Sequence, residues 1–258
     1  MHPDCEYCFI CPTYGQYDYA RLALESFFRH TERGLAVVID DAHPKFHRFW
    51  DRRWNVAAHP FKTRGGVTRS WNHGLRLARK FGARYTICGN DDILFTPQWW
   101  QGPVLLANDP DVGLVGPLSN GPGLSNREQN IWDHVRGYKP SDRPAALAKV
   151  AAQLRRRYEK SDGVPVSAAN GFFLFARTER WWEGRFDSRH VFNPAPPYAM
   201  VHSEHELQWR MMERGWKNVV SLRSFIFHYR SVTRGDQYKR GLWYRRPPPS
   251  RRAVSAKK

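Results

Sequence analysis

Alternating strand-like and helix-like segments in the first half of the chain predict an α/β protein whose mostly parallel sheet is covered by helices on both faces. Apolar runs of strand length occur at residues 9–12, 35–39, 84–95 and 112–115. Between them lie stretches with apolar residues at helical spacing, punctuated by glycine. A further observation concerns where strands stop: Tyr14, Asp40-Asp41 and Asn90-Asp91-Asp92 all fall at strand ends. Open α/β sheets bind their ligands beyond the carboxyl ends of strands.

The elements follow in order. Phe9-Ile10-Cys11-Pro12 reads as the first strand, and residues 19–28 as a helix whose apolar side is Leu22, Leu24, Phe27 and Phe28. Residues 35–39 form a second strand; a short helix over 46–53 is expected before an extended segment at 55–61. Gly65-Gly66 opens a helix on which Val67, Trp71, Leu75 and Ala78 recur, and Gly82 ends it. The next strand runs into the Asn-Asp-Asp triplet, after which Thr96-Pro97 predicts an N-cap followed by proline at the first helical position. A short strand at 112–115 gives way to a segment rich in Gly, Asn, Ser and Pro at 116–138. Residues 144–158 form a helix with Leu147, Ala151, Leu154 and Tyr158 on one side and Lys149, Arg155 and Arg156 on the other. A strand at 171–176, a helix at 204–214 capped by Ser203 and stopped by Gly215, and a strand at 224–229 complete the body.

With 258 residues and 41% hydrophobic content, the chain can fill one large core. It shows no basic leader followed by an apolar run and no eighteen consecutive apolar residues, so a soluble, cytoplasmic protein is expected, with at most peripheral membrane contact. Cys5, Cys8 and Cys11 are spaced like metal ligands, with Cys88 as a fourth. An offset of three within a strand sends Cys8 and Cys11 to opposite faces, which argues against a shared zinc or iron–sulfur site. Lys and Arg number 41 against 24 Asp and Glu, a net charge of +17. That balance favours a polyanionic partner, whether nucleic acid, anionic lipid or acidic glycan, over a neutral small molecule. Residues 239–258 carry eight cations, no acid and three consecutive prolines, the composition of a flexible basic tail. Without those eight charges the body remains basic at +9.

The triplet is the most informative stretch. Adjacent carboxylates repel, and a divalent cation with oxygen ligands compensates them where a diphosphate must also be held. A solvated acidic turn is the alternative.

Several motifs, in order, resemble family 2 glycosyltransferases of the GT-A fold, from about residue 9 to residue 233 and closest to the rhamnosyltransferase-like branch that moves single sugars. Cys11-Pro12-Thr13-Tyr14 is similar to the family's first-strand Pro-Thr-Tyr, and Val37-Val38-Ile39-Asp40-Asp41 to its second-strand acidic end. Gly65-Gly66-Val67 through Asn72-His73-Gly74 is similar to the glycine-opened helix near the diphosphate, and Asn90-Asp91-Asp92 occupies the place of the Asp-x-Asp metal motif. Asn170-Gly171-Phe172-Phe173-Leu174 resembles the acceptor-side strand, and Phe186-Asp187 the Phe-Asp pair after it. Ser203-Glu204-His205-Glu206-Leu207 resembles the start of the helix that holds the catalytic base, and Phe227-His228-Tyr229-Arg230-Ser231 the closing His-Tyr-Arg-Ser pattern. The chain departs from the family at Trp71, where many members have arginine, at Ser203, which replaces an acid, and at Glu204 and Glu206, which replace aspartates.

The resemblance implies a metal-dependent, inverting transfer of one sugar from a UDP- or dTDP-sugar to an acceptor hydroxyl. It implies a domain over 1–238, with a nucleotide-sugar half at about 1–118 and an acceptor half at about 119–238. Pro12, Thr13, Tyr14, Asp40, Arg64, Asn90 and Asp91 are the implied donor-binding residues, Asp40 meeting the nucleobase. Asp92 and His228 would hold Mn²⁺ or Mg²⁺, Gly171 and Phe172 would meet the acceptor, and Glu204 would be the base, with Glu206 competing. The basic charge favours DNA with hydroxymethylated bases as the acceptor, an envelope polysaccharide or lipid-linked glycan being the second candidate. A non-catalytic polyanion-binding protein on the same scaffold is a third reading.

Overall fold

The computed structural model describes residues 5–121, 127–199 and 202–230. The basic tail, and Ser231 of the closing pattern, lie outside the described residues. Nine strands form one mixed sheet: β1 (Tyr7–Thr13), β2 (Gly34–Asp40), β3 (Val56–Pro60), β4 (Tyr85–Gly89), β5 (Ile93–Phe95), β6 (Val112–Leu118), β7 (Val164–Val166), β8 (Phe173–Arg177) and β9 (Lys217–His228). Their spatial order is β3-β2-β1-β4-β8-β6-β9-β5, with β7 paired to β9. The β3-β2-β1-β4 half is parallel, as is β6 with β9, whereas β8 runs antiparallel to both of its neighbours. The fold class expected from strand and helix alternation is therefore borne out, and the two halves of the chain share one sheet.

Period-two alternation explains how both faces are filled. Phe9 and Cys11 of β1 face the layer containing α1 (Tyr17–His30) and α3 (Gln101–Ala107). Cys8 and Ile10 face the opposite layer, built from α2 (Gly66–Lys80), α5 (Thr178–Glu183) and α6 (Ser203–Glu213). The cysteines thus belong to two different cores, both buried as free thiols. Helix α4 (Pro144–Arg157) lays Leu147 and Leu154 with Phe225, Phe227 and Tyr229 in a third cluster. Gly74 lets α2 lie close on the sheet, since a Cβ there would come 2.3 Å from Ile10 Cγ2.

Local expectations fail at three places. Residues 46–53 form an irregular loop, not a helix. Pro44 precedes them, and the Asp51 carboxylate accepts from the Arg53 backbone N–H, so local turns replace helical bonding. Thr96 does not cap a helix: its hydroxyl donates to the Phe225 carbonyl at 2.7 Å, and α3 begins only at Gln101. Ser203 is the first residue of α6, not its cap; that place falls to His202, which has φ of 61°.

Candidate active site

The register brings the predicted strand ends together. Thr13 lies beside Asp40 and Asp40 beside Pro60, so β1, β2 and β3 end flush. The stretch 84–95 is two strands, β4 and β5, and Asn90-Asp91-Asp92 is the connector between them. Asn90 N–H donates to the Phe172 carbonyl just ahead of β8, and Tyr229 N–H donates to the Asp92 carbonyl just after β9, each at 2.9 Å. The triplet is thereby clamped between the start of one strand and the end of another.

Asp91 and Asp92 are both buried. Burial, and then the neighbouring Asp92 charge, push the Asp91 carboxyl well above the usual carboxylate range. His228 donates from Nδ1 to the Gly121 carbonyl at 3.0 Å, which accepts only, so neutral His228 presents a bare Nε2. That nitrogen lies 3.2 Å from Asp92 Oδ1. Neither atom has a hydrogen-bond partner, and Asp91 Oδ2 also lacks one. Buried atoms left in this state are costly, and a proton or a metal cation between them removes the cost. Among the described residues no three His, Cys, Asp or Glu side chains converge as a metal-binding group. Asp92 and His228 would supply one oxygen and one nitrogen ligand, a partial set for a divalent cation. The donor set fits Mn²⁺ or Mg²⁺ on those terms.

Phe172 and Gly171 connect this cluster to α6. The Phe172 ring stacks on the His228 imidazole, centroids 4.8 Å apart and 15° from coplanar. Gly171 lies directly beneath Glu204: a Cβ there would meet Glu204 Cγ at 2.8 Å, Cδ at 3.0 Å and Oε1 at 3.2 Å. The approach to Gly171 is held by two buried amides. Gln208 accepts from Ala169 N–H at 2.6 Å and returns a bond to the Ala169 carbonyl, and Gln129 accepts from Asn170 N–H at 2.7 Å. Among the described residues the Glu204 carboxylate makes no hydrogen bond or ion pair, whereas Glu206 is spent on Arg210 in a two-pronged pair, 2.6 Å at Nε and 2.9 Å at Nη2. Arg210 extends that pair to the Gly184 and Val191 carbonyls.

On the donor side, Tyr14 carries the Arg64 guanidinium 4.2 Å above its ring and sits edge-on to His43. Pro12 and Tyr14 are partly exposed, and Thr13 is buried. Asp40, expected to meet a nucleobase, is fully buried; its oxygens accept from the Tyr17 hydroxyl at 2.8 Å and His43 N–H at 2.7 Å. In this structure it fixes the turn after β2.

Sequence reasoning missed Asp41. Its carboxylate accepts from Gly65 and Gly66 N–H at 2.8 and 2.9 Å and from Arg69 at 2.8 Å, holding the first turn of α2. The signal was present as a second acid beside Asp40 and a helix opened by two glycines, which have no side chain with which to cap it. Also missed was a polar ladder on α2. Thr68 donates to Tyr198 O and accepts from the Ser203 hydroxyl, Asn72 binds the backbone of Val191 and Phe192, and Arg76 reaches Arg189 O. These residues recur every four positions, so one helix face holds Arg189, Val191, Phe192, Tyr198 and Ser203. Trp71, the departure from the family pattern, is buried against Phe192 at 5.1 Å between centroids.

This strand order, with an acidic connector at the end of β4, is that of the GT-A fold. Solved structures agree. The chain superposes on GalNAc-T7 with UDP, GalNAc and Mn²⁺ at a TM-score of 0.60, with 14% identity over 87% of this chain and 44% of that one. It matches a mannosyltransferase of Pyrobaculum calidifontis in complex with GDP-Man and Mn²⁺ at 0.55, with 13% identity over 86% of this chain and 56% of that one. It matches residues 1–349 of TarS from S. aureus at 0.54, with 12% identity over 86% of this chain and 60% of that one. The chain thus spans about half the length of these structures. No family model matches it, and no curated relative does.

Proposed function

We propose that this protein is a metal-dependent inverting glycosyltransferase that moves one hexosyl or deoxyhexosyl unit from a UDP- or dTDP-sugar to an acceptor hydroxyl. The observation that supports the reading is the pair Gly171-Phe172: consecutive residues touch Glu204 on one hand and, on the other, the His228 ring that lies 3.2 Å from buried Asp92. The GT-A fold of nucleotide-sugar enzymes such as TarS, solved with UDP-GlcNAc, supports it.

Asp92 and His228 would hold Mn²⁺ or Mg²⁺, with Asp91 beside them. When bound, the cation offsets charge on the departing diphosphate. Thr13, Tyr14 and the turn fixed by Asp40 line the nucleobase shelf, with Pro12 at its edge; Arg64 and Asn90 border the diphosphate. Glu204 takes the proton of the acceptor hydroxyl as its oxygen attacks the anomeric carbon. The new C–O bond forms on the face opposite the breaking bond to the nucleoside diphosphate, so configuration inverts. One catalytic carboxylate suffices, unlike the pair required for glycoside hydrolysis. Glu206, neutralised by Arg210, is free for no such role.

The acceptor we favour is a polyanion, specifically DNA bearing hydroxymethylated bases, on the ground of the +17 net charge. The test is nucleotide release by the purified chain with Mn²⁺ across a panel of nucleotide sugars, with and without DNA containing 5-hydroxymethylpyrimidines. Release stimulated by modified but not ordinary DNA is expected. Stimulation only by envelope glycans would move the acceptor, and no release with any donor would refute the transferase.

A further inference from the structure

Between Asp41 and Gly65 the chain carries six Lys or Arg residues against one acid, Asp51. That acid is consumed by Arg53 at 2.7 Å. Lys45, Arg48, Arg52 and Lys62 are exposed, and among the described residues none forms a salt bridge, although Arg48 lies against Trp50. Arg64 touches Asp41 only at 3.9 Å. The segment includes the irregular loop and β3, the edge strand of the sheet. Its aromatic residues are turned inward: Phe49 stacks on Tyr17 at 5.1 Å, Trp54 stacks on Phe28 at 5.5 Å, and Trp50 stands edge-on to Phe49. These contacts lay the segment along the sheet edge, from Trp54 beside the start of β2 to Lys62 and Arg64 at the strand ends that carry Tyr14, with its cations outward.

We infer that this face, formed by Lys45, Arg48, Arg52 and Lys62, docks the phosphate backbone of a nucleic acid. The inference rests on the polyanionic acceptor proposed above and locates its binding surface. Exposed cations along one sheet edge suit a phosphate chain, and guanidinium groups bind phosphate oxygens in pairs. A bilayer is disfavoured because interfacial binding draws on inserted apolar groups. The exposed large hydrophobics of the described residues, Leu105, Phe186 and Trp209, all lie outside this segment.

The test measures binding of fluorescein-labelled single-stranded and duplex DNA to the full chain across a salt series, without donor. The variants are Lys45→Glu/Arg52→Glu/Lys62→Glu, the neutral set Lys45→Gln/Arg52→Gln/Lys62→Gln, and a control of equal charge on the α4 side, Lys149→Glu/Arg156→Glu/Lys160→Glu. Each lost phosphate contact removes about 0.7–0.9 from the log–log salt slope, so both edge variants should flatten it by about 2 while the control keeps the wild-type slope. Equal losses in edge and control variants would reduce the effect to net charge and overturn the proposal. So would unchanged binding in the edge variants, or wild-type binding to phosphatidylserine vesicles but not to DNA. If the edge face binds DNA yet no donor is turned over, the transferase reading falls and the docking surface stands.

Discussion

Gly171→Ala is the sharpest probe of the site, because the added methyl would strike the Glu204 side chain first. The three nearest atoms all belong to Glu204, at 2.8, 3.0 and 3.2 Å. Carbon atoms pack comfortably at ~3.5–4.0 Å, so the Glu204 side chain must withdraw by roughly 1 Å. Gly171 is not among the residues with positive φ, so alanine adds no backbone strain. Glu204 is half-buried and long enough to swing aside, which keeps the stability cost to about 1 kcal/mol and the Tm shift to about 2–4 °C. Catalysis is less forgiving: a 1 Å misplacement costs on the order of 10²-fold. The expectation is a large fall in kcat for sugar transfer with a nearly native melting curve, and a Gly171→Ala/Glu204→Gln double variant no slower than Glu204→Gln alone. Undiminished kcat in Gly171→Ala, or additive losses in the double variant, would refute the assignment of Glu204 as base in the observed arrangement.

Other expectations follow from the same geometry. Glu204→Gln should lower kcat by about 10²–10⁴-fold without lowering Tm, whereas Glu206→Gln should keep turnover but destabilise the fold by about 1–3 kcal/mol, read by denaturant melts, as Arg210 loses its partner. Mn²⁺ should raise the Tm of the wild type, by the equivalent of about 2.7 kcal/mol at a hundred times Kd, and Asp92→Asn should abolish most of that shift. Burial, followed by His59, Arg76 and Arg69, pushes His73 from 6.5 down to about 4. Between those values the unfolded chain binds the extra proton, so stability should rise with pH from about 4 to 6.5 and be lost as pH falls through that window. His73→Gln should flatten that slope in melts recorded across the range.

Much of this architecture was legible because burial follows period. The alternation of Cys8 and Ile10 against Phe9 and Cys11 and the helical recurrence of Trp71, Leu75 and Ala78 are local patterns, and the fold preserves them. Phe46, Phe49 and Trp50 also repeat like a helix, yet that spacing serves a loop whose rings stack on Tyr17 and on one another. The pattern is the same; the partner differs, and the partner is distant in sequence. Ser203 reads as a cap from its neighbours, but its hydroxyl is engaged by Thr68, 135 residues away. The choice between Glu204 and Glu206 was open for the same reason, since it turns on the ion pair with Arg210 and on the absence of a side chain at Gly171. Residues 164–166 were missed as a strand because Val-Pro-Val is too short to show a period, and its pairing with β9 makes it one.

The ladder of Thr68, Asn72 and Arg76 bears on redesign. In the loop leading into α6, Arg189, Phe192 and Ser203 are each anchored to successive turns of a helix more than a hundred residues upstream. Exchanging that loop for another, the obvious way to alter what enters beside Glu204, is therefore a transplant of two segments. A graft that leaves the α2 face behind would arrive without its rungs, and a graft that shortens the loop by one residue would meet them out of step.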